Sequence, residues 1–242
     1  MEPVKIETNN VKMVAHRGLS GIEVENTLDS FTLATKYSYF GIETDVHVTL
    51  DGKYIICHDD NIERMTGINK IIEESLYEDL RKIKVKNKDE SFTRDIFFPS
   101  LEEYINICKN SNKVSVLELK NEMKEENVLE IVKMIKDMGH YDKTIFISFA
   151  KKNIITLRKY FPDCNCQFLS VADTTEKQED ALNFAINYQC DLDLFYGGIT
   201  KDFIDVCHKH NILLNIWTVD DEKLANNLIK MGVDFITSNI LL

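Results

Sequence analysis

Two histidines bracket a pair of carboxylates in the first quarter of this chain. His16-Arg17-Gly18 follows an apolar run at 11–15, His58-Asp59 follows another at 54–57, and Ile42-Glu43-Thr44-Asp45-Val46 stands between them. A neutral imidazole near pH 7 can take a proton, and its protonated form can give one. The Arg17 guanidinium is a fork that fits two phosphate oxygens together, and Gly18 lets the backbone turn sharply beside a ligand. Residues i and i+2 of a strand share a face, so Glu43 and Asp45 project together. Glu118-Leu119-Lys120 repeats the arrangement at the end of a later apolar run. Glu118 can complete a three-carboxylate oxygen site for Mg²⁺ or Ca²⁺, with Lys120 beside it. Together these groups suit cleavage of a phosphodiester better than any other common reaction.

The elements that must position them alternate. Short β-branched runs at 11–15, 42–48, 114–119, 144–148, 167–170, 191–195, 213–218 and 235–237 read as strands. Helix-period segments fill the gaps at 27–37, 101–109, 125–138, 151–160, 177–188, 201–210 and 221–231. Eight such units in 242 residues predict an α/β fold of the closed (β/α)8, or TIM, barrel type. In such barrels chemistry sits at the carboxyl ends of the strands, where all the candidates above fall. Asn26-Thr27 and Ser100-Leu101-Glu102-Glu103 read as helix starts, and Gly139 and Gly232 as helix stops. Asp51-Gly52 reads as a hairpin turn that makes 54–57 an extra strand and carries His58 back to the site. The charged stretch at about 60–98 breaks the rhythm. We read residues 1–242 as one barrel domain with that stretch inserted after the second strand, over the catalytic end.

Bulk composition narrows the partners. A net charge of −11 argues against a nucleic-acid footprint and against an anionic membrane as the main partner. The N-terminus lacks a signal-peptide pattern and no apolar run is long enough to span a bilayer, so the expectation is a cytoplasmic protein without stable membrane association. Cys57, Cys108, Cys164, Cys166, Cys190 and Cys207 contain no C-x-x-C pair and read as reduced, mostly buried thiols. His47, His140, His208 and His210 read as packed or surface residues, since each lacks a constellation around it.

Several motifs look familiar as a set. His16-Arg17-Gly18, then Glu25-Asn26-Thr27-Leu28 with Phe31 and Ala34, resembles the opening of the glycerophosphodiester phosphodiesterase family. So do Gly41-Ile42-Glu43-Thr44-Asp45-Val46, Thr49-Leu50-Asp51-Gly52, and His58-Asp59 with Arg64, Thr66 and Gly67. Later matches are Pro99-Ser100-Leu101-Glu102-Glu103, Glu118-Leu119-Lys120, Ser148-Phe149, Asn215-Ile216-Trp217-Thr218-Val219 and Asp234-Phe235-Ile236-Thr237. The resemblance runs in order from residue 14 to about 239, and its amino-terminal cluster is the most specific part. It departs at Val24, where a proline is common, and at Ser238-Asn239-Ile240, which lacks the usual proline; both are read as changes in loop stiffness.

The resemblance implies a TIM barrel with a small insertion after the second strand and one divalent cation, Mg²⁺ or Ca²⁺, with Mn²⁺ also suited. It implies Glu43, Asp45 and Glu118 as metal ligands, His16 and His58 as the acid/base pair, Arg17 and Lys120 on the phosphate, and Trp217 lining the glycerol side. The expected reaction is hydrolysis of a small glycerophosphodiester to sn-glycerol 3-phosphate and an alcohol, with His16 as base and His58 as acid. The alternatives are a phosphodiesterase acting on lysophospholipids in phospholipase D fashion, and a non-catalytic barrel that binds phosphate. The first wants a hydrophobic, membrane-facing entrance; the second would be expected to have lost a histidine or a metal carboxylate.

Overall fold

In a computed structural model, which describes residues 2–242, the chain runs β1 (Lys12–Ala15), α1 (Leu28–Thr35), β2 (Gly41–Val48), β3 (Tyr54–Ile56), α2 (Glu63–Thr66), α3 (Tyr77–Leu80) and α4 (Leu101–Asn110). It continues β4 (Val114–Leu119), α5 (Glu125–Asp137), β5 (Thr144–Ser148), α6 (Lys151–Tyr160), β6 (Asn165–Ser170) and α7 (Thr175–Tyr188). The last elements are β7 (Asp191–Phe195), α8 (Lys201–Lys209), β8 (Leu214–Trp217), α9 (Glu222–Met231) and β9 (Phe235–Ser238). The sheet order is β1-β9-β8-β7-β6-β5-β4-β2-β3, and a β1–β2 pairing closes eight parallel strands into a barrel. Helices cover the outside, so this is the predicted TIM architecture. β3 lies antiparallel on the far end of β2, pairing Val46 with Ile56 and Val48 with Tyr54.

Two apolar sets divide along each strand because side chains alternate. Ile42, Val46, Leu117, Leu119, Leu192, Leu194, Leu214 and Ile216 belong to the main core between sheet and helices. Each such side chain contributes about 1.5–3 kcal/mol by leaving water. On the other face Val14, Val116, Ile145, Ile147, Leu169 and Phe235 form a smaller cluster. Val116 and Glu118 share one side of β4, so this cluster floors the barrel interior beneath the acidic residues.

Residues 60–98 hold α2, α3 and antiparallel bridges at Asn61–Ile71 and Lys84–Phe97. They build an apolar cluster of their own from Ile62, Met65, Ile72, Leu80, Val85, Ile96 and Phe98, joined by Ile55, Cys57 and Val24. Val24, one of the two departures from the family pattern, therefore ties the β1–α1 loop to this segment. Polar ties run the same way, since Arg94 pairs with Glu23 and Asp29, and Asn121 donates to Asp60 and Glu73.

Element ends differ from the sequence reading where capping decides them. Thr27 is not helical; it caps α1 in a reciprocal box with Ser30. α7 starts two residues earlier than expected because Thr174 accepts from the Lys177 amide. Ser100 and Glu103 form the expected box at α4, and Gly139 and Gly232 adopt positive φ just past α5 and α9. All six cysteines are buried with free thiols.

Candidate active site

At the end of β1 the backbone makes a turn that few sequences tolerate. Arg17 has φ 52° and Gly18 φ 76°, both left-handed. A Cβ on Gly18 would sit 2.7 Å from the Ser30 carbonyl carbon, so only glycine fits. The turn aims the Arg17 amide at Glu43 Oε2 (2.7 Å) and the Gly18 amide at the Glu43 carbonyl (3.2 Å). The β1 loop is thereby fastened to β2 by the residue that carries the first carboxylate.

Glu43 and Asp45 point into the barrel, and Asp45 stands in register with Glu118 on β4. Carboxylate oxygens of all three lie within 4.8 Å of one another, and all three residues are buried. Lys120 Nζ is 2.9 Å from Glu118 Oε1 and 3.5 Å from Asp45 Oδ1. Asn26 donates to Asp45 Oδ2 at 2.8 Å, whereas Asp45 Oδ1 accepts no hydrogen bond. Burial and Asp45 push Glu118 up to about 8 against the pull of Lys120. Burial and Asp45 likewise raise Glu43 well above the ordinary carboxylate range. Asp45 goes the other way: burial opposes its charge, but Lys120 and Arg17 hold it below that range. The cluster is short of positive charge. An all-oxygen, buried donor set with a free oxygen on Asp45 fits a hard divalent cation.

His16 is held by the opposite wall. Asp220 accepts from Asn239 Nδ2 (2.6 Å), which turns the Asn239 oxygen toward His16 Nδ1 at 2.8 Å. Nδ1 must then carry the proton, and Nε2, 3.9 Å from Glu43 Oε2, is left with its lone pair. Burial first, then Arg17, lower His16 from 6.5 to about 4 and keep it neutral. His58 stands beyond β3, its Nδ1 2.8 Å from Asp59 Oδ1. Arg64 joins the two loops by donating to Asp59 Oδ2 (2.6 Å) and to Glu25 Oε1 (2.7 Å), which also accepts from Arg17 Nη1 at 2.9 Å. Arg17 Nε is buried without a hydrogen-bond partner, 3.7 Å from Asp45 Oδ2.

His16, Arg17, Glu43, His58, Glu118 and Trp217 line one cavity of about 80 Å³; Asp45 and Lys120 adjoin it through their ion pairs. The eight residues given a site role from the sequence therefore meet at the carboxyl end of the barrel. Trp217 is wedged edge-on between Phe149 and Phe195, with ring centroids at 5.7 and 5.8 Å. His47 and His140 are buried as packed residues, and His47 Nε2 lies 3.4 Å from the His58 carbonyl. One reading needs correction: the Ser238-Asn239-Ile240 departure is not only a matter of stiffness, because Asn239 touches His16. Glu25 and Asn26 entered the sequence reading only as motif or cap residues, Asp193 only as part of a strand, and Asp220 not at all; all four sit in or behind the site. The alternation Asp191-Leu192-Asp193-Leu194 was the available signal for Asp193. Burial and Glu118 raise its carboxyl well above the ordinary range.

The model of the Glycerophosphoryl diester phosphodiesterase family matches residues 16–240 of this chain. A glycerophosphodiester phosphodiesterase of Bacillus altitudinis is 26% identical over 227 residues, covering 92% of each chain. The crystal structure of a glycerophosphodiester phosphodiesterase from Parabacteroides distasonis superposes with a TM-score of 0.78 at 26% identity, over 95% of this chain and 93% of that one. An Oleispira antarctica phosphodiesterase, solved in complex with the product sn-glycerol-3-phosphate, superposes with a TM-score of 0.85 over 98% and 96% of the two chains; at 23% identity it speaks for the fold alone. With a family match from the first histidine to the last strand and a barrel that agrees with it, this chain belongs to the glycerophosphoryl diester phosphodiesterase family.

Proposed function

We propose that the protein hydrolyses glycerophosphodiesters to sn-glycerol 3-phosphate and an alcohol. The observation that carries this reading is the single cavity in which two differently held imidazoles, a guanidinium and a buried carboxylate cluster meet. His16, neutral with Nε2 unprotonated, serves as the base toward the attacking hydroxyl or water. His58, whose Nδ1 is engaged by Asp59, delivers a proton from Nε2 to the departing alkoxide. Arg17 offers its unpaired Nε, and Lys120 its ammonium, to the phosphate oxygens. Trp217 lines the side that takes the glycerol.

Glu43, Asp45 and Glu118 would hold one divalent cation, Mg²⁺ or Ca²⁺, with Mn²⁺ also suited to the oxygen set. Such a cation polarises the phosphoryl group and offsets the charge that builds up during displacement. The small cavity has room for several water-sized groups, each needing about 10–15 Å³ by the same measure, and so suits a small polar moiety such as glycerol. Beside it a groove of about 540 Å³, sharing Glu25 and Asn239 with the partners of Arg17 and His16, has room for the alcohol. We read residues 1–242 as one domain with 60–98 as its insertion, acting on a small soluble substrate in the cytoplasm. No helix among the described residues is long and apolar enough to cross a membrane.

The test is hydrolysis of glycerophosphocholine, glycerophosphoethanolamine and lysophosphatidylcholine with and without EDTA. The reading expects EDTA-sensitive release of sn-glycerol 3-phosphate from the first two. Turnover of lysophosphatidylcholine alone would move the protein to the lysophospholipase D class, and no turnover of any would leave a phosphate-binding barrel.

A further inference from the structure

Strand β7 reads Asp191-Leu192-Asp193-Leu194-Phe195, with both leucines turned into the outer core. Asp193 therefore faces the barrel interior, where it is 2% exposed and lines the same cavity as the two histidines. A carboxyl in that position is costly unless something meets it. Its Oδ1 accepts no hydrogen bond. The neighbour in register, Asn215, has its oxygen on Thr237 at 3.0 Å, and its amide reaches both Gln167, at 3.5 Å, and the Asp193 carboxyl, leaving Oδ1 free. The charged neighbour that acts on Asp193 is another carboxylate, Glu118, and not a cation. Asn215 engages one side of the carboxyl, and Oδ1 is left without a partner.

A second orphan lines the same cavity. Trp217 Nε1 is buried and donates to nothing. One small cavity thus holds an unpaired acceptor and an unpaired donor. A phosphate oxygen would satisfy the indole but bring no donor to Asp193 Oδ1, and a quaternary ammonium forms no hydrogen bond with either. A neutral hydroxyl donates and accepts, so it satisfies both. We infer that Asp193 recognises the glycerol portion of the substrate by taking one of its hydroxyl groups, and so sets the preference for glycerol esters over other phosphodiesters. This rests on the phosphodiesterase reading above.

The experiment compares binding of sn-glycerol 3-phosphate with that of n-propyl phosphate, which has the same skeleton without hydroxyls. Calorimetry on the wild type, D193A and D193N in Mg²⁺ reads the ratio of the two affinities. The wild type is expected to favour sn-glycerol 3-phosphate by about tenfold or more, the worth of one hydrogen bond to a carboxyl. D193A should bring that ratio to within about threefold while leaving n-propyl phosphate affinity within about twofold of wild type. D193N, which keeps an acceptor oxygen in place, should retain most of the preference. An unchanged ratio in D193A, or an equal loss for both ligands, overturns the inference, the second outcome marking a structural role. A wild type that binds n-propyl phosphate as well as sn-glycerol 3-phosphate overturns it while leaving the phosphodiesterase reading standing. A wild type that binds neither takes both down.

Discussion

Asn239 accepts a hydrogen bond from His16 Nδ1 at 2.8 Å, joining the first strand's end to the last across 223 positions of sequence. Asp220 fixes which way that amide faces, so the tautomer of His16 is set from outside the cavity. Asn239→Leu should therefore lower kcat on glycerophosphocholine by about 10²-fold with a much smaller change in KM, because the imidazole loses its orienting partner. Steady-state kinetics check this. A loss confined to KM would mean that Asn239 serves binding only.

The two histidines should respond differently to the leaving group. Each alanine variant is expected to lose about 10²–10⁴-fold on glycerophosphocholine. A 4-nitrophenyl ester of glycerol phosphate expels 4-nitrophenolate, which leaves without being protonated, so His58→Ala should recover most of its activity on it while His16→Ala does not. Recovery by His16→Ala instead would exchange the two roles.

Acidic repulsion in the barrel predicts an unusual stability profile. Glu118 moves from an ordinary 4.5 to about 8 on folding, through burial and Asp45. Between those values Glu118 keeps its proton in the folded chain and loses it in the unfolded one, so its contribution to the stability of the metal-free protein falls as pH rises; His16, lowered to about 4, opposes it below about pH 6.5 and leaves Glu118 to act above that. Thermal unfolding in EDTA from pH 6.5 to 8.5 should show a falling Tm. Mg²⁺ should reverse the trend, and its binding should release protons, measured by calorimetry in buffers of different ionisation enthalpy. A Tm that climbs through this range in EDTA would contradict the electrostatic account.

Much of this was legible in the sequence. Paired acids at strand spacing, histidines at strand ends and the eight-fold alternation all follow from local periodicity. What stayed hidden depends on distant partners. Nothing near Asn239 announces that it meets His16, nor near Asp220 that it holds Asn239, and Glu25 gains its meaning only once Arg64 crosses from the insertion to bridge it with Asp59. Asp191 and Asp193 alternate with leucines along β7, which marks an acidic inner face, but neither acid carries a partner with it in the sequence. Helix starts moved where a threonine cap, at Thr27 or Thr174, outranked the apolar period.

The insertion's own apolar cluster yields a prediction that separates it from the barrel. Leu80 is fully buried there. Leu80→Ala should destabilise that segment by about 2–5 kcal/mol. Limited proteolysis should cut within 60–98 first, with the barrel's circular dichroism little changed, and activity should fall because Asp59 and Arg64 lose their footing. Cleavage in the barrel helices ahead of the insertion would show that the two cores do not open separately.

Arg17 divides its labour between main chain and side chain. Its left-handed backbone presents an amide to Glu43, while its guanidinium reaches Glu25 and leaves Nε unpaired. The two services are chemically separable. A glycine at this position would keep the amide and relieve the unfavourable torsion, yet strip the positive fork; a lysine would keep a charge and forfeit the fork's geometry. Scaffold and reagent thus share one residue number, and a family pattern that merely records arginine there conceals two distinct demands.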